Sequence, residues 1–493
     1  MATQSVLETF VAHCHSAPHH PCVGFEDALL SYGQLLARAR AAASVLLQHG
    51  VGPGDRVALF LGNSSNFLAV YLGVQLCGAI VVPVNTLYRQ VELRHILSDS
   101  GARMCVTEAE LVASVQALRA DLPQLQHILE GSIARAEVEP TPLRLPAGDD
   151  IALIAYTSGT TGRSKSAMLR HRNLRANIEN VCNAWRWTPA DRLLLTLPLF
   201  HVHGLLVGFH GTIFSGASLA LQRSFSAAAV FDQLRSGAFT VFFGVPTMYV
   251  RLIDEQRRRR IIPPPLRLYV SGSAALSTDT FAAFEQQFGQ RILERYGMTE
   301  TSMNTTNPYE GERRPGTVGQ PFPQQEARTV DALTREVLGP ERDGEIEVRG
   351  PHVFAGYWRQ PEATAAAFTA DGWFKTGDLG RVSSDGYFSI TGRASELIIT
   401  GGYNVYPREL EDVIARMPGV QEVAIVGLPD AEFGEQIAAA IVADSDLTPE
   451  AVIAFCRDQL AAYKKPQRVL MVNALPRNAM QKVQKNLVRA LFQ

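Results

Sequence analysis

Short apolar runs recur along most of the 493-residue chain, and each one ends in a turn rich in Gly, Ser or Pro. Helical stretches separate these runs, which include residues 55–61, 151–156, 240–245 and 266–270. Strands that are joined through helices pair in parallel, and helices then cover both faces of their sheet. The pattern therefore predicts an α/β fold whose ligand sites lie at the carboxyl ends of the strands.

The pattern changes at Gly344, where short strands begin to alternate with tight turns, and a compact mixture of strands and helices follows from about Ala394. A chain of this length is too long for one hydrophobic core. We predict a large N-terminal domain of residues 1–392, with parallel sheets covered by helices, and a small α+β C-terminal domain of residues 393–493. In the second domain we expect strands at 423–426 and 438–442 and a helix at 449–462.

Charge and composition exclude several classes of function. The net charge of -2, without a concentrated basic face, argues against a nucleic-acid partner. The one basic run, Arg257 to Arg260, precedes two isoleucines and three prolines, and it is interpreted as a solvated loop. The apolar stretch 67–84 is interrupted by Gly73, Gly78 and Pro83, so it is interpreted as a buried helix followed by a buried strand rather than a membrane span.

The cysteines and the N-terminus indicate a soluble, cytoplasmic protein. The six cysteines are scattered and form no CxxC pair, which is typical of reduced thiols. The first residues lack the basic start and apolar run of a signal peptide. Four histidines and two cysteines cluster between His13 and Cys22, but their spacing matches no standard zinc pattern, so no metal is expected there. Nothing in the sequence indicates an oligomeric state.

The segment Tyr156-Thr157-Ser158-Gly159-Thr160-Thr161-Gly162-Arg163-Ser164-Lys165 follows a predicted buried strand. Two glycines allow a tight backbone turn, so that amides and four hydroxyls can converge on phosphate oxygens. Lys165 adds a positive charge. The segment is not the P-loop of kinases, because Ser164 stands where that loop needs Gly before the lysine. A flexible linker is the alternative, although a linker seldom follows a buried strand directly.

This loop resembles the phosphate-loop signature of the adenylate-forming superfamily, which contains acyl-CoA synthetases, peptide-synthetase adenylation domains and luciferases. The resemblance extends along essentially the whole chain, because further motifs follow in the family order. They are Leu197-Pro198-Leu199-Phe200-His201-Val202-His203-Gly204, Ser271-Gly272-Ser273-Ala274-Ala275-Leu276, Arg295-Tyr296-Gly297-Met298-Thr299-Glu300, Thr376-Gly377-Asp378, Gly392-Arg393 and Pro476-Arg477-Asn478-Ala479-Met480-Gln481-Lys482.

The resemblance implies an ATP site. A carboxylate beside a triphosphate needs a cation between them, so Mg²⁺ is implied as well, with Glu300 and Thr157 as its protein ligands. Tyr296 is implied to stack on adenine, Gly272 to approach the ring, and Asp378 with Arg393 to hold the ribose hydroxyls. The full set of implied ATP-binding residues is Thr157, Ser158, Gly159, Thr160, Thr161, Gly162, Lys165, Gly272, Tyr296, Thr299, Asp378 and Arg393.

The family reaction has two halves, and the resemblance assigns residues to each. The carboxylate of an acid attacks the α-phosphate of ATP, which gives an acyl-adenylate and pyrophosphate. The thiol of coenzyme A then displaces AMP. Lys482 is implied to stabilise charge at the α-phosphate in the first half only, because the small C-terminal domain of the family is mobile and rotates between the halves. His201 is implied to act as a gate between the acyl site and the thiol path.

Within the family the sequence is most similar to malonyl-CoA synthetases, through Thr161-Gly162-Arg163-Ser164-Lys165, residues 200–204, 244–251, 294–301 and 304–311. That similarity implies that Arg251, Arg295 and Ser273 face the distal carboxylate of a small dicarboxylic acid, malonate or methylmalonate. A planar guanidinium suits a second carboxylate, whereas a fatty-acid ligase needs an apolar pocket. Taken without the similarity, Arg251 is predicted to be a surface residue of a helix.

Three positions depart from the family pattern and leave alternatives open. Ser166 replaces a usual Gly, which strains the loop if that backbone needs positive φ. Ser395 replaces the usual Lys or Asp at the hinge, and Gln481 replaces the usual Gly before Lys482. The alternatives are a ligase for a monocarboxylic acid, an inactive acyl-nucleotide-binding protein, and a peptide-synthetase-type adenylation module, although no carrier domain follows Lys482.

Overall fold

The computed structural model describes residues 5–140, 142, 144–157, 164–400, 403–444, 446–478 and 482–493. The chain divides into two compact units. Unit 1 contains Met1–Ala327 and Val348–Phe374, and unit 2 contains Arg328–Glu347 and Lys375–Gln493. The predicted boundary at 392/393 lies inside unit 2, next to the short 3₁₀ turn Ala394–Glu396, and it stays a prediction.

The α-helices of the described residues are α1 Val6–Ser16, α2 Tyr32–Gln48, α3 Ser65–Leu76, α4 Gln90–Ser100, α5 Val112–Gln116, α6 His171–Ala184, α7 His210–Ser215, α8 Ala227–Arg235, α9 Pro246–Arg259, α10 Thr278–Phe288, α11 Pro361–Ala367, α12 Pro407–Ile414, α13 Pro449–Gln459 and α14 Lys485–Ala490. The strands are β1 Pro21–Phe25, β2 Ala28–Ser31, β3 Arg56–Phe60, β4 Ile80–Pro83, β5 Met104–Thr107, β6 His127–Glu130, β7 Ile151–Tyr156, β8 Ser166–Arg170, β9 Arg192–Leu195, β10 Ser218–Leu221, β11 Val241–Gly244, β12 Leu268–Ser271, β13 Leu293–Tyr296, β14 Thr305–Thr306, β15 Gln320–Pro321, β16 Glu326–Val330, β17 Gly344–Arg349, β18 Phe374–Val382, β19 Phe388–Arg393, β20 Ile398–Thr400, β21 Tyr403–Val405, β22 Val420–Asp430, β23 Gly434–Ala443 and β24 Arg468–Met471.

Unit 1 is built on two large sheets. One has the order β6-β5-β3-β4-β7-β8, and the other has the order β15-β14-β13-β12-β11-β9-β10-β1-β2. Their central strands pair in parallel, as the helix-separated apolar runs predict. The exception next to the phosphate loop is β8, which pairs with β7 in the antiparallel direction. The fold is the predicted α/β architecture, with a large N-terminal part and a smaller C-terminal part.

Local predictions in unit 1 are confirmed where the pattern is strong. β7 occupies Ile151–Tyr156, as its apolar run indicates. Ser31 and Gln34 form the capping box that starts α2: the Ser31 backbone N–H donates to Oε1 of Gln34 at 2.9 Å, and the Gln34 backbone N–H donates to Oγ of Ser31 at 3.3 Å. The apolar stretch 67–84 is α3 followed by the buried strand β4. None of the helices in the described residues has the length and apolar composition that crossing a bilayer requires.

The interpretation of the basic run as a loop is wrong. Arg257, Arg258 and Arg259 form the last turn of α9, and the helix ends at Arg260 in a left-handed cap. Helix geometry brings Arg258 and Arg259 to Glu255, which lies one turn earlier, and Arg259 also contacts Asp232 of α8. Cations in the last turn also interact favourably with the helix dipole. Arg258 and Arg259 are therefore paired with carboxylates of α8 and α9.

Unit 2 contains a four-stranded sheet of order β16-β17-β18-β19 and a second sheet of order β21-β20-β23-β22, to which β24 adds beside β23. The long antiparallel pair β22–β23 includes the two strands predicted at 423–426 and 438–442. Helix α13 lies within the predicted 449–462. The core of the second sheet is formed by Ile398, Ile425, Ile437 and Ile441, with α12 and α13 packed against it.

Candidate active site

The phosphate loop connects two antiparallel strands. Tyr156 is the last residue of β7 and pairs with Ser166, the first residue of β8. The backbone N–H of Thr157 donates to the carbonyl oxygen of Lys165 at 2.9 Å. This bond brings the two ends of the loop together. Ser158, Gly159, Thr160, Thr161 and Gly162 lie outside the described residues.

Tyr357 connects the loop to Glu300, and the sequence analysis missed it. The backbone N–H of Trp358 donates to the carbonyl oxygen of Ser166 at 2.8 Å, so the segment that contains Tyr357 adds to β8. The Tyr357 hydroxyl donates to Oε1 of Glu300 at 3.0 Å. The Nζ of Lys165 lies 5.1 Å from the centre of the Tyr357 ring, within the range of a cation–π contact. A cation and a carboxylate from two distant motifs therefore meet at one aromatic residue.

The residues around Glu300 fit a magnesium ion that is bound together with a nucleotide. Glu300 is buried, and one of its oxygens is held by Tyr357, so the carboxylate has a fixed orientation. The described residues contain no group of three His, Cys, Asp or Glu side chains able to hold a metal without other ligands. Mg²⁺ commonly takes one or two carboxylates and completes its shell with phosphates and water. Thr157, half-buried at the start of the loop, has a hydroxyl that suits the same hard cation.

Arg295 is a buried cation at the end of β13. It is 3 % exposed, and none of the described residues gives a hydrogen-bond partner to its Nε or Nη2. Gly272 makes room for it, because a Cβ at that position would lie 2.4 Å from the Cζ of Arg295. Burial lowers the pKa of Arg295 to about 9, so the side chain is still charged at pH 7. Unpaired buried charge is costly, and the arrangement suits an anionic ligand.

Ser273 and His203 lie beside this cation. Ser273 has φ of +69°, a left-handed backbone that a serine adopts at a cost of about 1 kcal/mol or more. Its Oγ is 3.3 Å from Nδ1 of His203, whose ring stacks on Phe243 at 5.7 Å. Burial and the charge of Arg295 lower the pKa of His203 well below its usual value, so its imidazole is neutral at pH 7. The sequence analysis did not single out His203, although the second His of the His201-Val202-His203 motif was a signal for it.

The other predicted residues of unit 1 occupy different surroundings. His201 is half-buried, and its Nδ1 accepts from the backbone N–H of His203 at 3.2 Å. Tyr296 ends β13 and is half-buried, as is Thr299 in the turn before Glu300. Arg251 lies in the middle of α9 with an exposed side chain. The contacts of the described residues do not join Arg251 to Arg295 or Ser273, so the structure brings together only two of the three predicted acid-binding residues.

Two of the predicted ATP-binding residues of unit 2 contact each other. Asp378 of β18 pairs directly with Arg393 of β19, and their Oδ1 and Nε atoms are 2.7 Å apart. Asp378 is buried, and its backbone N–H donates to Oγ1 of Thr376. The Asp378 carboxylate is therefore largely shielded from solvent, whereas the Arg393 side chain is 43 % accessible.

The backbone of Lys482 is hydrogen-bonded to Asn478. Its N–H donates to Oδ1 of Asn478 at 3.0 Å, and its carbonyl oxygen accepts from the backbone N–H of Asn478 at 2.9 Å. The Lys482 side chain is exposed. Gln481, one of the three departures from the family pattern, lies outside the described residues. Ser395, another departure, is exposed in the 3₁₀ turn Ala394–Glu396.

The expected strain at Ser166 is absent. Ser166 begins β8 in extended pairing with Tyr156, and its φ is not positive. A residue with a Cβ adopts that conformation without strain. Serine is therefore compatible with this position.

Comparison with known proteins agrees with this geometry. The family model described as AMP-binding enzyme matches residues 10–358. The chain belongs to the AMP-binding enzyme family. A second model, the AMP-binding enzyme C-terminal domain, matches residues 409–482. This AMP-binding enzyme is therefore an AMP-forming acid–CoA ligase, and its use of ATP and CoA follows from the family.

Relatives of this AMP-binding enzyme are named for different acids. Sulfoacetate–CoA ligase of Cupriavidus necator is 36% identical over 475 residues, which cover 92% of this chain and 91% of the relative. Malonate–CoA ligase of Arabidopsis thaliana is 33% identical over 510 residues, covering 92% and 83%. The crystal structure of ATP-bound MatB from Rhodopseudomonas palustris is 39% identical, with a TM-score of 0.91 over 99% of both chains. Feruloyl-CoA synthase of Amycolatopsis sp is also similar, at 35% identity.

Proposed function

We propose that this enzyme is a malonate–CoA ligase, with methylmalonate as a second substrate. One carboxylate oxygen of the acid attacks the α-phosphorus of ATP, and the bond from that phosphorus to pyrophosphate breaks. The sulfur of CoA then attacks the acyl carbon, its proton is released, and the bond from that carbon to AMP breaks. The products are malonyl-CoA, AMP and pyrophosphate.

The observation that carries the choice of acid is the buried guanidinium of Arg295. Two of its nitrogens have no partner among the described residues, and the side chain is charged at pH 7. A second carboxylate on the substrate supplies the missing partner, whereas the alkyl end of a monocarboxylate leaves the cation unpaired. Ser273 and neutral His203 add hydrogen-bonding groups at the same place. The relatives named for malonate and sulfoacetate support the proposal, because both acids carry a second anionic group.

The remaining roles are proposals of the same kind. Thr157, the loop residues Ser158–Gly162 and Lys165 bind the phosphates of ATP, and Glu300 with Thr157 binds Mg²⁺. When bound, Mg²⁺ offsets the negative charge of the phosphates, which otherwise repels both Glu300 and the attacking carboxylate. Tyr296, Gly272 and Thr299 lie at the adenine, while Asp378 and Arg393 hold the ribose hydroxyls.

Two further residues are proposed to act at different stages. Lys482 stabilises the charge that develops on the α-phosphate during adenylate formation, within a C-terminal domain of residues 393–493 that rotates between the half-reactions. His201 gates the path of the thiol. Arg251, which is exposed on α9, is proposed as a second guanidinium for the distal carboxylate.

A panel of acids tests the substrate. AMP formation is measured with ATP, Mg²⁺ and CoA, using malonate, methylmalonate, butyrate and ferulate. Malonate is expected to exceed butyrate in kcat/KM by about a thousandfold, because an unpaired buried charge costs several kcal/mol. Equal turnover of butyrate or ferulate rejects the malonate proposal and favours a monocarboxylate ligase. Failure to form AMP with any acid favours an inactive nucleotide-binding protein.

A further inference from the structure

Helix α4 contacts both ends of the phosphate loop, although it belongs to none of the sequence motifs. At one end, Oδ2 of Asp99 accepts a hydrogen bond from the Tyr156 hydroxyl at 2.6 Å. At the other end, Nε2 of His95 lies 3.2 Å from the carbonyl oxygen of Ser164. The His95 ring also packs edge-on against the Tyr156 ring, with 5.9 Å between their centres. We call His95 and Asp99, with these contacts, the α4 clamp.

The geometry of α4 makes such a double contact natural. His95 and Asp99 are four residues apart, so their side chains lie on the same face of the helix. The opposite face is anchored, because Leu93, Ile96 and Leu97 are buried in the core beneath the six-stranded sheet. The clamp is therefore attached to a rigid element.

The chemistry of the two contacts fixes their direction. The carbonyl oxygen of Ser164 can only accept, so Nε2 of His95 carries the proton in this bond. The Tyr156 hydroxyl donates to a carboxylate, which makes a short and charge-assisted bond. Burial and the Asp99 carboxylate both raise the pKa of Tyr156, so the hydroxyl keeps its proton at every pH at which the enzyme works.

We propose that His95, Asp99 and the Tyr156 hydroxyl are positioning residues for ATP, because they hold Thr157 and Lys165 at the separation that the triphosphate requires. This inference rests on the proposed role of Thr157 and Lys165 in binding phosphates. Tyr156 directly precedes Thr157, and Ser164 directly precedes Lys165, so each contact of the clamp acts one residue away from a proposed phosphate ligand. The backbone bond between Thr157 and Lys165 closes the arrangement between the two contacts.

Measuring the two half-reactions separately distinguishes a role in positioning the ATP-binding residues from a role in the stability of the whole protein. Adenylate formation needs the triphosphate, whereas thioester formation from supplied acyl-adenylate does not. Tyr156→Phe and Asp99→Ala are each expected to raise the KM for ATP about tenfold, the effect of losing one hydrogen bond to a charged group. The KM for CoA and the rate of thioester formation from supplied acyl-adenylate are expected to stay unchanged. The double variant is expected to resemble Tyr156→Phe, which already removes the bond to Asp99 together with the longer contact of the same hydroxyl with the Ile96 carbonyl oxygen at 3.4 Å.

Matched variants keep the test decisive. His95→Gln retains a side-chain donor, so its KM for ATP is expected to stay close to that of the wild type. His95→Leu has no donor, so its KM for ATP is expected to rise. Tyr88→Phe removes a hydroxyl from a tyrosine packed on the same core and is expected to leave the KM for ATP unchanged. Asp99→Leu keeps a side chain of similar size without an acceptor and replaces Asp99→Ala if that variant does not fold.

Two results overturn the proposal. One is an unchanged KM for ATP in Tyr156→Phe, Asp99→Leu and His95→Leu. The other is an equal loss of rate in adenylate formation and in thioester formation, which indicates that the α4 clamp has only a structural role. The measurements use whichever acid the panel shows to be best, so an error about malonate does not affect them. If Lys165→Ala raises the KM for ATP while the clamp variants do not, only the clamp fails; if Lys165→Ala also leaves it unchanged, the proposed phosphate site fails together with the clamp that depends on it.

Discussion

Replacing Arg295 by methionine is expected to make the enzyme more stable while it loses its proposed substrate. Lowering the pKa of a guanidinium from 12.5 to about 9 corresponds to about 5 kcal/mol that disfavours the charged side chain inside the unliganded protein. Methionine is unbranched and of similar length, so it fills most of the space beside Gly272 without a charge. Part of the gain is offset by imperfect packing, and we expect the free energy of unfolding to rise by about 2 kcal/mol.

The stability gained by Arg295→Met depends on pH, because the pKa of Arg295 is about 9 in the folded protein and 12.5 in the unfolded chain. At pH 7 the guanidinium is protonated in both the folded and the unfolded chain, so the cost of burying its charge is present in full. Above about pH 9 the folded form releases the proton while the unfolded form keeps it, so stability rises with pH. The advantage of Arg295→Met over the wild type is therefore expected to shrink as the pH is raised beyond 9.

The activity is expected to change in the opposite direction. For malonate, kcat/KM is expected to fall by about a thousandfold or more, since a buried carboxylate then lacks its partner. For butyrate, kcat/KM is expected to stay unchanged or to rise. Urea unfolding without ligands measures the stability, and AMP formation with each acid measures the specificity.

The half-buried Arg267, which is paired with a carboxylate, provides the control. Arg267 binds the buried carboxylate of Asp191, with Nη2 and Oδ2 at 2.8 Å. Arg267→Met leaves that carboxylate unpaired and is expected to destabilise the protein by about 3 kcal/mol or more. If Arg295→Met is destabilised to the same extent, and its activities with malonate and butyrate fall together, then Arg295 is a structural residue and the reasoning is refuted.

Three further predictions concern the other proposed roles. Lys482→Ala is expected to abolish adenylate formation but to retain thioester formation from supplied acyl-adenylate, and an equal loss in both contradicts the assignment. Glu300→Gln is expected to raise the Mg²⁺ concentration needed for half-maximal rate, because a neutral amide binds a hard cation poorly; Tyr357→Phe should act in the same direction but more weakly. Arg251→Leu is expected to reduce malonate turnover while changing stability by less than about 0.5 kcal/mol, since the side chain is exposed, and unchanged turnover removes Arg251 from the acid site.

The sequence predicted best those features that depend on neighbouring residues. A continuous apolar run is enough to identify β7, and a capping box is enough to start α2. The family signature depends on short motifs, so Glu300 and Asp378 could be named from their local sequence alone. The pairing of Asp378 with Arg393 follows once β18 and β19 form a hairpin.

The features that were missed depend on contacts between distant parts of the chain. Nothing near Tyr357 in the sequence indicates that its hydroxyl meets Glu300 or that its ring meets Lys165. His95 and Asp99 occupy one face of an ordinary amphipathic helix, and only the tertiary fold places that face against the phosphate loop. The basic run at the end of α9 was interpreted as a loop because three prolines follow it, although Glu255, one turn earlier, is a local partner for Arg258 and Arg259. Only the contact of Arg259 with Asp232 of α8 depends on the tertiary fold.

The pairing of the Tyr357 segment with β8 also has a consequence for biosynthesis. The phosphate loop leaves the ribosome long before residues 357 and 358. Until these emerge, neither the Trp358 N–H that bonds the Ser166 carbonyl oxygen nor the Tyr357 hydroxyl that bonds Glu300 is present. Contacts of such large sequence separation form late, because the loop that they close is long. The proposed nucleotide site is therefore incomplete through most of the synthesis of the chain, and we expect ATP to stabilise the fold only after translation has passed residue 358.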